Sequence, residues 1–287
     1  MSSSEERGCP RIAYALQVHG NPNQVARLIN RLSSPHSSFH VRVFMANAAD
    51  HNHWLSKLSS GGQNVHVEFT DHGVWGSFGQ VEATLDSMHY FQRRDYDYFI
   101  NLSGQCYPLV STMKILDFFK GNDKGYIEYR SMPAKGWKRG GMNRIHNRYY
   151  RISEKRFIPI PRINKKIPGD MIPFGGSSWF CLHKKHIDYI LNFVCDRPSF
   201  VDFFRRALCP DEIFFQTILA NSPLAPTLVA DNLRYIEWID GRRPAYITSV
   251  DIERVLATGK LFGRKFDMEA DDKVFDIIDR LAEQDIG

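Results

Sequence analysis

The sequence lacks the patterns that mark several large classes of protein. Its 287 residues include five cysteines, an odd number without a C-x-x-C pair, so neither a zinc-finger pattern nor a disulfide framework is present. No apolar run approaches the roughly 18 residues that a membrane-spanning helix needs. The polar start MSSSEERGCP is not a signal peptide. We therefore expect a reduced, intracellular, soluble protein.

Common nucleotide-binding and hydrolase motifs are also missing. The chain contains no G-x-G-x-x-G, no P-loop, no G-x-S-x-G and no H-E-x-x-H. These absences count against dinucleotide-dependent enzymes, P-loop NTPases, serine hydrolases of the α/β type and zinc proteases. A nucleotidyltransferase would need metal-binding carboxylates, for which we find no candidates.

The positive charge of the chain is concentrated in one segment. Between Lys135 and Lys166 there are eleven Lys and Arg residues and one acidic residue, Glu154, so the rest of the chain is net acidic. Such a segment favours an anionic ligand or surface. Tyr149 and Tyr150 could stack on single-stranded nucleic acid. No recognised nucleic-acid motif accompanies them, and we expect no nucleic-acid partner.

The rest of the chain alternates between strand and helix patterns. Apolar runs predict strands at 11–18, 38–45, 64–69, 97–103, 125–129, 175–183 and 233–238, and helical spacing predicts helices at 22–32, 78–92, 112–119, 185–194 and 272–282. This alternation predicts an α/β fold with a mostly parallel central sheet flanked by helices. We expect a disordered tail at 1–10 and one domain over 11–287, with a basic excursion at about 131–170. Ligands of such folds bind at the carboxyl ends of strands.

The stretch CPDEIFFQTILANSP, residues 209–223, places two carboxylates at the start of a predicted helix. Pro210 suits the first helical turn, and Asp211 and Glu212 suit the positive end of the helix dipole. The local pattern leaves two interpretations open. Glu212 either complements the helix or lies in a cleft and takes a proton.

Several segments in order resemble one family, the core-2/I-branching N-acetylglucosaminyltransferases and peptide xylosyltransferases. They are GVWGSFGQVEATL (73–85), FINLSGQCYPL (99–109), GGSSWFCLHKKHIDYIL (175–191), CPDEIFFQTILANSP, LRYIEW (233–238) and LFGRKFD (261–267). The resemblance implies a GT-A-type fold and inverting sugar transfer from a UDP-sugar without a metal ion. It implies that Glu212 is the catalytic base and that Lys265 contacts the donor diphosphate.

The chemistry of inverting transfer suits these residue types. A carboxylate takes the proton of the attacking hydroxyl. The departing diphosphate gains negative charge, which cations must stabilise when no metal is bound. Arg264 adjoins Lys265, and Arg242 and Arg243 lie where the family has a second diphosphate-binding arginine.

The resemblance of NRIHNRYYRISEKR (143–156) to a family segment implies that the basic excursion forms part of the acceptor side. The acceptor side also has aromatic and glycine candidates. Trp75, Trp179 and Trp238 each allow a core interpretation, but a sugar also stacks well on an aromatic ring, and Trp179 is the preferred stacking residue, with Trp75 as a second. Gly175 and Gly176 would permit close backbone approach to the sugar. Asp211 either caps the helix, orients Glu212 or holds an acceptor hydroxyl.

Two positions depart from the family pattern. Cys106 and Arg42 stand where many members have acidic residues, which puts the uridine and ribose contacts in question. Cys106 is interpreted as a small buried hydrophobe, with a reactive thiol as the alternative.

These observations together predict a glycosyltransferase. We expect transfer of N-acetylglucosamine from a UDP-sugar to a hydroxyl of a glycan or glycolipid, the latter presented at an anionic membrane surface, with no cofactor and no metal. The alternatives are a UDP-xylose-using transferase and an inactive relative that binds a UDP-sugar or a glycan. We expect a bacterial, cytoplasmic enzyme of surface-polysaccharide assembly, peripheral at the inner face of the membrane.

Overall fold

A computed structural model describes residues 8–44, 50–58, 64–70, 75–153, 156–164, 166–239 and 243–284. The strands are β1 Ile12–Val18, β2 Ser37–Phe44, β3 Val65–Thr70, β4 Tyr98–Ser103, β5 Cys106–Pro108, β6 Gly125–Ile127, β7 Arg130–Ser131, β8 Asn147–Ser153, β9 Arg156–Pro161, β10 Phe174–Gly175, β11 Phe180–His183, β12 Leu228–Val229, β13 Arg234–Ile236, β14 Trp238–Ile239, β15 Arg243–Pro244 and β16 Phe262–Arg264. The helices are α1 Pro22–Leu32, α2 His51–Leu58, α3 Gly79–Gln92, α4 Thr112–Phe119, α5 Asn143–His146, α6 Lys184–Asp196, α7 Pro198–Phe204, α8 Phe214–Ala220, α9 Ile252–Leu256 and α10 Lys273–Gln284. Contacts divide the chain into two compact units, which are described one at a time.

The first unit comprises residues 1–70, 95–123 and 233–287. Its main sheet is parallel, in the order β4-β1-β2-β3. A smaller sheet has the order β13-β16-β5, with β5 antiparallel to β16. Strand β1 is buried along its whole length, as expected for a central parallel strand covered on both faces.

Helix α1 illustrates how the sequence specifies this unit locally. The Asn21 side chain accepts a hydrogen bond from the Gln24 main-chain nitrogen at 3.1 Å, and Pro22 occupies the first turn. Val25, Leu28 and Ile29 then lie on one buried face at helical spacing. Burial of such side chains contributes about 1.5–3 kcal/mol each and secures the helix.

The second unit comprises residues 71–94 and 124–232. Strand β6 pairs with β12 in parallel and with β11 antiparallel, and β8 and β9 form an antiparallel hairpin. Its core is rich in phenylalanine: the ring centroids of Phe200 and Phe214 lie 5.2 Å apart, and those of Phe180 and Phe215 lie 5.5 Å apart.

The α/β prediction with a mostly parallel sheet flanked by helices is confirmed. The basic excursion at 131–170, which shows little periodicity in the sequence, contains the β8–β9 hairpin. Residues 1–7 of the predicted tail lie outside the described residues. Within the described part of the chain, no helix is both long and apolar enough to cross a membrane.

The prediction that Asp211 and Glu212 open a helix is wrong. Residues Pro210–Glu212 form a separate 3-10 turn, Ile213 departs from helical geometry at φ −135°, and α8 begins at Phe214. The Glu212 carbonyl accepts a hydrogen bond from the Gly176 nitrogen at 2.9 Å. This long-range bond holds the turn as a distinct element ahead of the helix.

Candidate functional site

The turn Pro210–Glu212 is held in the second unit by the chain on either side of it. Cys209 precedes it in a left-handed conformation, at φ 47°, and its nitrogen donates to the Gly76 carbonyl at 2.9 Å. Gly76 is itself left-handed, at φ 77°, a conformation that favours glycine. Trp75 is therefore next in sequence to a residue that is bonded to Cys209, immediately before the turn.

Glu212 forms an ion pair with Arg144. Nη1 of Arg144 donates to Oε2 of Glu212, and the guanidinium carbon lies 4.2 Å from the centre of the Trp137 ring. The side chains of Arg144 and Glu212 are 24% and 30% exposed. A charge-assisted bond plus a cation–π contact fixes the guanidinium, and the guanidinium in turn fixes one carboxylate oxygen of Glu212.

Asp211 lies in a different environment from its neighbour. The Ser178 hydroxyl donates to Oδ2 of Asp211 at 2.5 Å, while Oδ1 is buried and has no hydrogen-bond partner among the described residues. Burial, and next the negative charge of Glu212, raise the pKa of Asp211 to about 7, although Ser178 and Arg144 act in the opposite direction. Asp211 therefore exchanges its proton near neutral pH.

Three long-range hydrogen bonds join the segment 175–179, which begins with Gly175 and Gly176, to the turn and to α8. Besides the bonds of Gly176 to Glu212 and of Ser178 to Asp211, Nε2 of Gln216 donates to the Ser177 carbonyl at 2.7 Å. Trp179, which follows directly, is half-buried. The structure thus brings together five residues predicted from the sequence: Gly175, Gly176, Trp179, Asp211 and Glu212.

Packing accounts for both glycines without a ligand. A Cβ on Gly175 would lie 2.8 Å from the Trp137 ring, and a Cβ on Gly176 would overlap the Glu128 carbonyl oxygen. Gly175 therefore makes room for the ring on which Arg144 rests. The role predicted for these glycines, close approach to a sugar, stays a prediction.

The tryptophans differ from their core interpretation. Trp75 is 61% exposed and Trp238 is 54% exposed, so the core interpretation is wrong for both. An exposed indole is free to stack on a sugar, and the binding role of Trp75 stays a prediction.

The first unit holds the cations predicted to bind the diphosphate. Nη1 of Arg264 donates to the Ser103 hydroxyl at the end of β4. Desolvation, and next the charges of Arg264 and Lys265, lower the pKa of His19, which follows β1. Burial, and next Arg264, lower the pKa of Lys265. This cluster of positive charge lies at the carboxyl ends of two parallel strands, where α/β folds bind ligands.

The second predicted pair of arginines is described only in part. Arg243 is exposed on β15 opposite Ile239, and Arg242 lies outside the described residues. The diphosphate role of both stays a prediction.

Cys106 and Arg42, the two residues that depart from the family pattern, are buried in the first unit. Cys106 is 1% exposed, which confirms the small-hydrophobe interpretation, and its sulfur accepts from the Ser103 nitrogen at 3.4 Å. Arg42 is buried on β2, and its Nη1 lies 3.2 Å from Oε2 of Glu68 on β3. Within the described residues no three His, Cys, Asp or Glu side chains cluster as metal ligands do.

Arg144, Trp137 and Ser178 also belong to this site and were not predicted from the sequence. In the sequence Arg144 is one of eleven basic residues in a single segment, and it lies 68 residues before Glu212. The available signal was the contrast between that basic segment and the acidic pair at 211 and 212.

The chain is similar to one protein family and to individual xylosyltransferases. Residues 12–255 match the model described as Core-2/I-Branching enzyme. The chain is 27% identical over 300 residues to xylosyltransferase 2 of Homo sapiens, covering 94% of this chain and 33% of that protein. It is 26% identical over 239 residues to xylosyltransferase 1 of Canis lupus familiaris, covering 79% and 24%. The chain therefore spans a third or less of the length of these relatives.

Two solved structures show weak similarity to the fold of this chain. A galactosyltransferase LgtC in complex with donor and acceptor sugar analogs is 10% identical, with a TM-score of 0.40 and coverage of 88% of this chain and 86% of that one. A putative glucose-1-phosphate thymidylyltransferase from Bacillus anthracis is 10% identical, with a TM-score of 0.31 and coverage of 62% and 74%. At these TM-scores neither likeness supports a functional argument.

Proposed function

The chain belongs to the Core-2/I-branching enzyme family, and from that premise we propose that it is an inverting glycosyltransferase. Its substrates are a UDP-sugar and a hydroxyl of a glycan or glycolipid. The family and the xylosyltransferase relatives support the general assignment as a glycosyltransferase. The donor sugar, the inversion and the roles of single residues are our proposals.

The observation that carries the proposal is the partly exposed Glu212 held by Arg144. In the proposed reaction Glu212 takes the proton of the acceptor hydroxyl, whose oxygen forms a bond to the anomeric carbon. The bond from that carbon to the diphosphate oxygen breaks, and the electron pair leaves with UDP. The guanidinium of Arg144 holds one oxygen of the Glu212 carboxylate and so orients the other to receive the proton.

The leaving group requires positive charge, since the diphosphate oxygen becomes more negative as the bond breaks. We assign this role to Arg264 and Lys265. Nζ of Lys265 lies 5.4 Å from the centre of the Tyr246 ring, and its main chain is bonded to the neighbouring segment through Ala245 and Ile247. Lysine and arginine at this place would do the work that a divalent metal does in other transferases.

Two donors are candidates. N-acetylglucosamine is the donor sugar predicted from the sequence. Xylose is the second candidate, because the relatives are named xylosyltransferases. The location predicted for the enzyme, cytoplasmic and peripheral to the inner face of the membrane, stays a prediction.

The decisive experiment measures UDP release from UDP-N-acetylglucosamine and UDP-xylose, with candidate acceptors and in EDTA. We expect Glu212→Gln to lower turnover at least about a hundredfold, as loss of a general base does. Glu82→Gln is the matched control, because Glu82 also pairs with an arginine, Arg205, on the same unit. Its turnover should stay within about twofold of wild type.

Each outcome has a clear meaning. Equal turnover of the Glu212→Gln and wild-type proteins would exclude Glu212 as the base. UDP binding in calorimetry without turnover of either donor by the wild type would favour the inactive sugar-binding alternative. Turnover that is abolished by EDTA would contradict the role given to Arg264 and Lys265.

A further inference from the structure

The hairpin of β8 and β9 presents an apolar face to solvent. Tyr150 pairs with Ile158 and Arg148 pairs with Ile160, and since alternate residues of a strand share a face, these four side chains lie on one side of the hairpin. We call them the hairpin face. Ile158 and Ile160 are each 49% exposed and Tyr150 is 38% exposed. Ile152, at the register irregularity beyond Tyr150, is more exposed still.

The opposite side of the hairpin is fixed to the body of the second unit. The Tyr149 hydroxyl donates to the Asn143 carbonyl at 3.0 Å, and the Tyr149 nitrogen donates to the Arg206 carbonyl at 2.8 Å. The Phe157 ring lies 3.6 Å from the place where a Cβ of Gly76 would be. These contacts hold the hairpin face outward as a preformed surface.

Two arginines lie beside the apolar side chains, within a basic segment of the sequence. Arg148 is part of the hairpin face, and the Arg206 guanidinium carbon lies 4.9 Å from the centre of the Tyr150 ring. The surrounding sequence, Lys135 to Lys166, has eleven basic residues and one acidic residue. A second copy of this face would bring like charges together, which opposes self-association. An anionic lipid surface complements the same charge and accepts the aliphatic groups.

We propose that the hairpin face docks this protein on an anionic lipid bilayer. Ile158 and Ile160 enter the boundary between headgroups and acyl chains, where interfacial proteins bury apolar side chains. Tyr150 has an apolar ring and a polar hydroxyl, which suits that boundary. Arg148 and its basic neighbours contact lipid phosphates. This proposal goes beyond the transferase function and does not depend on it.

The test is flotation of the full chain with phosphatidylcholine vesicles, with and without phosphatidylglycerol. The apolar variant is Ile158→Ser with Ile160→Ser, and the charge variant is Arg148→Gln with Arg156→Gln. Val250→Ser is the matched control, because Val250 is an exposed aliphatic residue of the first unit, at 91%. Thermal unfolding and light scattering check that each variant is folded and report its oligomeric state.

The wild type should float with the anionic vesicles and not with the neutral ones, and added salt should release it. The apolar variant should partition about tenfold more weakly, and the charge variant about 30-fold more weakly. The Val250→Ser protein should match the wild type.

Wild-type protein that ignores anionic vesicles would overturn the proposal, as would an apolar variant that binds them as the wild type does. Dimerisation that the apolar substitutions abolish, without vesicle binding, would assign the face to a second copy instead. If the apolar variant fails to fold, the charge variant decides alone: unchanged binding overturns the proposal.

Discussion

Arg144 offers the sharpest test of how the candidate base is held. Substitution of Arg144 by methionine removes the guanidinium that contacts Glu212 and Trp137 but keeps an unbranched side chain over the indole ring. A hydrogen bond to a charged group contributes about 1.5–3 kcal/mol net, and a cation–π contact adds about 0.5–1 kcal/mol. Both side chains of the ion pair are about a quarter exposed, so solvent screening reduces these values. We expect a loss of about 2 kcal/mol, or about 30-fold in kcat/KM.

The assay is a double-mutant cycle in the sugar-transfer reaction. It compares the wild type, Arg144→Met, Glu212→Gln and the double variant. If Arg144 acts through Glu212, its substitution should cost less than about twofold once Glu212 has been replaced, because coupled residues are not additive. The matched control is Arg205→Met, since Arg205 also bonds a glutamate, Glu82 at 2.5 Å, and lies over an aromatic ring, Phe78 at 5.1 Å.

Two results would refute this reasoning. An equal loss from Arg144→Met in both backgrounds would show that Arg144 acts independently of Glu212. An equal loss from Arg205→Met would show that the effect is general to arginine–aromatic pairs of the second unit. Thermal unfolding of each variant separates loss of activity from loss of fold.

Three further predictions concern the surroundings of the site. The raised pKa of Asp211 means that the native state binds more protons than the unfolded chain from about pH 4 to about pH 7, so the free energy of unfolding should fall as pH rises through that window. Asp211→Asn should remove that fall, as denaturant unfolding at about pH 5 and about pH 8 would show. A fall that persists in the variant would show that Asp211 is not its source. Gly176→Ala should destabilise the protein by about 3 kcal/mol in denaturant unfolding because of backbone overlap, whereas Gly20→Ala, with open space around it, should not. Lys265→Met should weaken UDP binding about tenfold in calorimetry, and an unchanged Kd would exclude a diphosphate contact.

Local patterns were sufficient for several of the longer regular elements. The helix prediction at 112–119 matches α4, and the strand prediction at 11–18 differs from β1 by one residue. The hairpin of β8 and β9 was not predicted. Strand β8 consists mainly of arginine and tyrosine, and β9 alternates isoleucine with proline, so neither strand has the pattern of a buried face. The apolar side chains of the hairpin face solvent, so the usual signal of a strand is absent.

The sequence identified candidate residues of the site but not the contacts between residues that are distant along the chain. The resemblance of ordered segments is enough to single out Glu212, Lys265 and Trp179 as candidates. The turn that presents Glu212 resembles a helix start in the sequence, because the Gly176–Glu212 hydrogen bond that sets it apart joins residues 36 apart in the numbering. Helical periodicity reports only on neighbours within a turn or two of the chain.

The sequence by itself determined the alternation of strands and helices, the family and the identity of the acidic pair, since these depend on local spacing and on segment order. Only the tertiary structure decided that Arg144, resting on Trp137, pairs with Glu212 while Ser178 bonds Asp211. It also decided that the aliphatic side chains of β8 and β9 point outward. Those facts depend on which distant segments the fold brings into contact, because burial and charge pairing are properties of three-dimensional neighbours and not of sequence neighbours.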